Sequence, residues 1–246
     1  MISVIIPTLW KAKEIEHMLP RLLEHKKVCE VIIIDNDEAS RPKDLPVHQK
    51  LLFLAQETNI YVNPAWNLGV STTKQKKICL MSDDILFDTR VFDVVDPMIT
   101  EKIGVIGVNP RGIKSFFVNS PLVNTTPVKH QLDLWDGFGT LMFVHKKNYL
   151  DTPPELKIYW GDTWLYDYNA IRDRVNYTIN DFCVGTKMRI SSGGFPKEID
   201  KENSVALQIT RAMYDKYRLP DAETQTPLMT EIVFEMMNRW AREQSV

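Results

Sequence analysis

The sequence predicts an α/β protein with a mixed, mainly parallel sheet, helices on both of its faces and a C-terminal helical extension. Three observations predict it. Short runs of continuous apolar character recur through the first half of the chain. Segments with helical spacing separate them. Polar and acidic residues gather where the runs end. Continuously apolar strands alternating with helices indicate a parallel sheet buried on both faces. Such sheets bind ligands beyond the carboxyl ends of their strands.

The elements follow in order. Ile2 to Ile6 is the first apolar run, stopped at Pro7-Thr8. Ile15, Met18, Leu19, Leu22 and Leu23 then recur on one helical face. Pro20 lies inside that face and should kink or restart the helix. Val28 to Ile34 is the second strand, ending at Asp35-Asn36-Asp37, and Leu51 to Leu54 the third. Pro64 to Lys74 can be helical, with Pro64 in its first turn. Ile78 to Met81 is a fourth strand, ending at Ser82-Asp83-Asp84. A helix near Arg90 to Thr100 leads to a fifth strand, Gly104 to Val108. The second half is less regular. Residues 109–136 read as loop, and Gly139 to Val144 as a strand. Trp160 to Asp167 opens a helix, and Val184 to Ile190 reads as a strand before the loop Ser191 to Gly194. Helices near Ser204–Tyr217 and Leu228–Arg242 close the chain. In the last, Met229, Ile232, Val233, Met236, Met237 and Trp240 form an apolar stripe expected to pack on the core.

Composition mainly excludes. A chain of 246 residues suits one domain. At 44% hydrophobic and 25% charged residues, disorder is not expected. The 30 basic and 32 acidic residues nearly balance, so no global field draws the protein to nucleic acid or anionic lipid. Three cysteines, an odd number, make no disulfide framework. No apolar run approaches the roughly 20 residues that span a bilayer. The chain starts directly on a strand-like run without a basic leader. The expected location is therefore cytoplasmic.

The strand ends carry the chemistry. Any one polar cluster there serves equally well as a turn or a helix cap. Thr8, Asp35 with Asn36 and Asp37, and Asp83 with Asp84 together point to one shared site. The turn Pro7-Thr8-Leu9-Trp10 has no glycine, which argues against a dinucleotide fingerprint, and no Walker loop is present. Phosphate charge must then be met differently. Adjacent carboxylates such as Asp83 and Asp84 can hold a hard divalent cation, Mn²⁺ or Mg²⁺, that bridges a diphosphate.

An ordered set of segments makes a more specific signal. Ser3-Val4-Ile5-Ile6-Pro7-Thr8, Glu30-Val31-Ile32-Ile33-Ile34-Asp35-Asn36, Asn67-Leu68-Gly69 and Cys79-Leu80-Met81-Ser82-Asp83-Asp84 follow one another. In that order they resemble family 2 glycosyltransferases of the GT-A fold. The resemblance continues more weakly through Gly137-Phe138-Gly139-Thr140 and Gly161-Asp162-Thr163-Trp164-Leu165. It implies a nucleotide-sugar donor, with UDP the family default. Pro7, Thr8, Asp35 and Asn36 would line the nucleoside pocket, and Asn67 and Gly69 the wall near diphosphate and sugar. Ser82 and Asp83 would meet ribose or sugar, and Asp84 the metal. Asp162 would be the catalytic base of an inverting transfer. Gly137, Phe138, Gly139, Thr140 and Trp164 would border the acceptor. On this reading residues 1–246 form a single domain. Residues 1–108 make a donor-binding half, 109–200 an acceptor-binding half and 201–246 C-terminal helices.

Departures from the family pattern qualify these roles. Asn36 stands where Asp is frequent, Trp66 where a basic residue is common, and Gly161 where Glu is usual. From the residues alone, Asp162 fits a helix N-cap as well as a base. No histidine is placed as a further metal ligand; His130 and His145 merely flank the Gly137 segment. A non-catalytic GT-A module that binds nucleotide or glycan is the alternative. The expected acceptor is a hydroxyl, with hydroxymethylated cytosine in phage-type DNA the first candidate, since it suits a compact enzyme without a targeting signal, and a glycan, lipid or protein the alternative. A DNA acceptor needs local basic surface. Lys74-Gln75-Lys76-Lys77, Arg111 with Lys114, His145-Lys146-Lys147, and Lys187 with Arg189 are the candidates.

Overall fold

Strand formation starts with β-branched apolar residues. In β1 (Ile2–Thr8) every residue is buried, and β2 (Val28–Asp35) is buried over its second half. Successive side chains of a strand point to opposite faces. Ile2, Val4 and Ile6 therefore enter one core layer and Ile5 the other. The computed structural model describes residues 1–115, 124–128, 137–187, 194–219 and 228–235.

The remaining strands are β3 (Leu51–Ala55), β4 (Lys77–Met81), β5 (Ile85–Phe87), β6 (Ile103–Val108), β7 (Ile113–Lys114), β8 (Asn124–Val128), β9 (Leu141–His145), β10 (Val175–Asn180) and β11 (Val184–Thr186). The helices are α1 (Glu14–Glu24), α2 (Val62–Thr72), α3 (Val91–Val95), α4 (Gly161–Ala170) and α5 (Pro196–Tyr217). Residues 229–235 are helical and are called α6.

An eight-stranded sheet runs in the order β3-β2-β1-β4-β9-β6-β10-β8. Strands β1 to β4 are mutually parallel where they pair. Strand β9 is antiparallel to both β4 and β6, and β10 returns parallel to β6. A small sheet, β5-β11-β7, flanks the carboxyl edge. One core lies under α1 and holds Met18, Leu22, Phe87, Phe92 and Phe143. The other lies under α2, α4 and α5 and holds Trp66, Val70, Trp164, Leu165 and Met213. The α/β expectation with helices on both faces is met.

Several boundaries differ from the sequence reading, each for a physical reason. Helix α1 runs unbroken through Pro20, because Ile15, Met18, Leu19, Leu22 and Leu23 are all buried and hold it on the sheet. The helix expected to Thr100 is shorter: α3 gives way to a 3₁₀ turn at Asp96–Met98, beside a proline. Residues 109–136 include β7 and β8 as well as loop. Strand β9 starts at Leu141, after the 3₁₀ turn Phe138–Thr140 that follows Gly137 with φ 104°. Helix α5 begins earlier than Ser204, with Pro196 in its first turn. Residues 188–190, Arg189 among them, and Met236, Met237 and Trp240 lie outside the described residues.

Candidate active site

The site begins where β1 and β2 end side by side, Thr8 paired in register with Asp35. The Thr8 carbonyl accepts the Asn36 N–H at 2.9 Å, continuing the ladder past the strand. The Asp35 carboxylate is fully buried and well occupied. Its Oδ1 accepts the Trp10 indole N–H at 2.7 Å and the Asp37 N–H at 3.1 Å. Its Oδ2 accepts Arg41 Nε–H at 2.6 Å. Asn36 Oδ1 accepts the Ile60 N–H at 3.1 Å.

Across the strand end stands the acidic pair. The Thr8 hydroxyl donates to Asp83 Oδ2 at 2.6 Å and accepts the Trp10 N–H at 2.8 Å. Trp10 holds the left-handed φ of 59° that this tight turn requires. Burial pushes the Asp83 carboxyl up to about 6 against the Thr8 bond, and the neighbouring Asp84 charge adds to the rise. Burial likewise raises Asp84, eased by a hydrogen bond from the Thr186 side chain on β11. Among the described residues no basic side chain pairs with either carboxylate.

Hydrogen bonds of ordinary length join the segments that carry this pair and the second acid. The Ser82 N–H donates to the Thr140 carbonyl at 3.0 Å. One residue back, the Gly139 N–H donates to Asp162 Oδ2 at 3.2 Å. Gly139 admits this approach because it has no side chain: a Cβ there would lie 2.8 Å from Asp162 Oδ2. Asp162 sits in the first turn of α4, and its Oδ1 accepts the Thr163 N–H at 2.8 Å. Burial raises its carboxyl as well, against these backbone bonds. Phe138, Thr163, Tyr166 and Met229 line a small cleft with Asp162.

Other sequence candidates occupy the walls. Asn67 Oδ1 accepts the Tyr149 hydroxyl at 2.6 Å and the Thr152 N–H at 3.0 Å, and its Nδ2 donates to the Thr152 carbonyl. A Cβ on Gly69 would lie 2.3 Å from Ile5, so Gly69 lets α2 press on β1. Trp164 is buried and donates its indole N–H to the Leu150 carbonyl at 3.2 Å. Pro7 is buried within β1. Gly137 provides the left-handed turn into Phe138.

A description of glycosyl transferase family 2 matches residues 3–175. The chain belongs to that family. No curated protein matches it by sequence. Among solved structures, TarS 1-349 of S. aureus is similar at a TM-score of 0.59 and 18% identity, over 97% of this chain and 71% of that one. The same protein in complex with UDP gives 0.62 and 16%, with the same coverage. Mannosyltransferase PcManGT from Pyrobaculum calidifontis, in complex with GDP-Man and Mn2+, gives 0.56 and 13%, over 98% of this chain and 75% of that one. At these identities the likeness shows the fold, GT-A. The expected family, fold and enzyme class, a glycosyltransferase, are thus met.

For a family 2 glycosyltransferase, two departures now have local causes. Gly161 cannot carry a side chain as placed, since a Cβ would lie 2.1 Å from Asn63 Oδ1. Trp66 is buried in the core under α2. Sequence reasoning missed Trp10 and Arg41, which close over Asp35, and Glu202 and Asp167, buried acids on α5 and α4. Glu202 accepts the N–H groups of Lys157, Ile158 and Tyr159, all at 2.8 Å, and so holds the segment that leads into Asp162. A lone acid inside a helix gives no sequence signal for such a contact. No helix among the described residues is long and apolar enough to cross a membrane.

Proposed function

We propose that this glycosyltransferase is metal-dependent and inverting, and moves a sugar from a nucleoside diphosphate donor, UDP by preference, to a hydroxyl acceptor. One observation carries the reading. Two sets of acids without a basic partner among the described residues, Asp83 with Asp84 and Asp162, are carried by segments joined through the Ser82–Thr140 and Gly139–Asp162 hydrogen bonds. Inverting transfer needs acids in two such places. One serves the leaving diphosphate, and the other takes the proton of the attacking hydroxyl from the opposite side of the sugar.

The acidic pair suits a hard cation. Its donors are all carboxylate oxygens, buried, and without a basic partner among the described residues. Among the described residues no group of three or more His, Cys, Asp or Glu could hold a metal. Mg²⁺ or Mn²⁺ needs only one or two protein carboxylates and completes its shell with substrate phosphate and water. Asp84 would hold the ion, with Asp83 meeting ribose or sugar. The bound ion would supply charge to offset that growing on the departing diphosphate. The chain's own residues do the rest. Thr8 orients Asp83, the Gly137–Thr140 turn borders the acceptor, and Asp162 accepts the proton. The solved relatives in complex with UDP and with Mn2+ support both parts.

The acceptor is more consistent with a glycan, lipid or protein hydroxyl than with DNA. Lys77 opens β4 and pairs in register with His145 at the end of antiparallel β9, so two basic runs lie at the amino edge, away from the acids. Three of their five lysines are also engaged: Lys77 with Asp96 at 2.8 Å, Lys147 with Glu101 at 2.8 Å, and Lys146 with the Thr73 carbonyl. Of the other two pairs, Arg111 and Lys114 follow β6 and Lys187 follows β11, while Arg189 lies outside the described residues. Salt-sensitive binding of hydroxymethylcytosine DNA would reverse this preference.

The test is Asp84→Ala, assayed for UDP-sugar turnover with Mn²⁺ and for Mn²⁺-dependent thermal stabilisation by UDP. Both should vanish. Full turnover in the variant would sink the metal assignment. If the wild-type chain binds UDP but never turns over any donor, even by slow hydrolysis, the non-catalytic alternative replaces this reading.

A further inference from the structure

Asp162 shares its helix with a fully buried acid that the proposed reaction does not use. Asp167 lies on α4 and is 1% exposed. Its Oδ1 accepts the Met229 N–H at 2.5 Å. Its Oδ2 accepts the Thr230 N–H at 3.0 Å and the Thr230 hydroxyl at 2.7 Å. The Thr230 hydroxyl stands 3.4 Å from that of Thr210 on α5. Thr230 and Thr210 are as deeply buried as Asp167. One carboxylate thus ties the start of α6 to α4, and Thr230 reaches on to α5.

A cap for a helix end needs no such burial, since an exposed Ser or Asp serves. Burying a carboxylate costs free energy unless every lone pair finds a donor. Here no basic side chain among the described residues offsets the charge. Glu231 on α6 adds a like charge nearby and is itself paired with Arg211 of α5 at 3.0 Å. What this costly contact fixes is the position of Met229. Met229 lines the same cleft as Asp162, with Phe138, Thr163 and Tyr166.

We propose that Asp167 is a positioning residue: by latching the Met229 amide and Thr230, it seats Met229 as the wall that keeps water from the Asp162 carboxylate. The inference rests on the reading of Asp162 as the base, and it says what sets that base's strength. A desolvated carboxylate is a stronger base than a hydrated one, and base strength enters the rate directly. Burial raises Asp162, although its side chain is only half-buried, and Met229 is among the side chains that line the cleft beside it. Releasing α6 would admit water there and lower the carboxyl toward its ordinary value.

The experiment is a carboxyl-carbon NMR titration of Asp162 in the full chain, with UDP binding in Mn²⁺ as the check on fold and donor site. In Asp167→Asn and in Met229→Ala the Asp162 midpoint should fall toward its ordinary value, with UDP affinity unchanged. Thr230→Ser keeps the hydroxyl and should leave the midpoint in place. An unmoved midpoint in folded Asp167→Asn overturns the proposal. If that variant does not fold, Met229→Ala leaves the latch intact and decides alone, an unmoved midpoint again overturning it. Unimpaired transfer in Asp162→Asn would instead overturn the base reading and leave the titration to judge the latch.

Discussion

At the amino edge of the sheet, Asp96 meets Lys77 at 2.8 Å, Lys27 at 2.9 Å and the N-terminal ammonium at 3.6 Å. At the carboxyl edge, Asp83 and Asp84 meet hydroxyls and backbone N–H groups but no basic side chain among the described residues. Both acids are about equally shielded from water. Burial pushes both carboxyls up. For Asp96 the Lys77 and Lys27 ammoniums outweigh it and hold the group at about 2. For Asp83 the Thr8 bond does not outweigh it, and the group stands at about 6. The difference separates two uses of a buried acid. A neutralised one is a structural fastener, whereas an uncompensated pair at the carboxyl edge, unlike Asp167 whose oxygens are taken up by Met229 and Thr230, leaves room for a ligand to complete the charge balance.

The sharpest way to test that division is to remove one acid of each kind. Asp162→Asn should lower turnover by about a thousandfold, on the scale of losing a general base, with donor affinity unchanged. Asp96→Asn should leave turnover within about twofold, since it lies at the other edge. Steady-state kinetics on both variants checks the pair. Comparable losses in the two would erase the distinction.

Stability should respond in the reverse order. Asp96→Ala leaves Lys27, Lys77 and the N-terminal ammonium crowded without a counter-charge. We expect a loss of about 2 kcal/mol, between the worth of exposed and of buried pairs, read from urea unfolding at pH 7. A carboxyl held low in the folded state stabilises above its ordinary value near 3.8 and stops doing so as pH falls through about 2. The gap between wild type and variant should therefore be complete at pH 7 and close only below pH 4.

These two edges were not equally legible in the sequence. The carboxyl edge announced itself because β1, β2 and β4 are apolar runs that end abruptly in Thr8, Asp35 and Asp83. Asp96 gave no sign: its partners Lys27 and Lys77 are remote in the chain and meet it only through folding. Strand β10 was missed because Val175–Asn180 alternates polar residues into the core. Asn176 is buried there and satisfied, accepting the Val105 N–H at 2.8 Å and donating to the Tyr166 carbonyl at 3.1 Å. Asn67 and Gly69 matched a family pattern, yet their bonds and contacts in this structure belong to the seat of α2.

On the proposed reading, in which Asp83 meets the donor, its raised state should make donor binding sensitive to pH. With a midpoint of about 6, the carboxylate is about nine-tenths ionised at pH 7 and about one-tenth at pH 5. Affinity for UDP with Mn²⁺ should thus weaken by at least about tenfold from pH 7 to pH 5, by calorimetry at fixed ionic strength. In Asp83→Asn that dependence should flatten on a lower plateau. An equally steep dependence in the variant would move the titration to another group.

The smallest effect concerns the free protein and has the opposite sign to that at Asp96. A carboxyl whose folded value lies above its ordinary 3.8 binds its proton more tightly when folded, so it lowers stability as pH rises from about 4 through about 6. Asp83→Asn removes that burden while an amide oxygen still accepts the Thr8 hydroxyl. Unliganded Asp83→Asn should therefore be more stable than wild type by about 1 kcal/mol at pH 8, and no more stable at pH 4. The gain belongs to the empty site alone: Mn²⁺ with UDP should raise the melting temperature of wild type past that of the variant. A loss of stability at pH 8 would mean that Asp83, like Asp96, is a fastener.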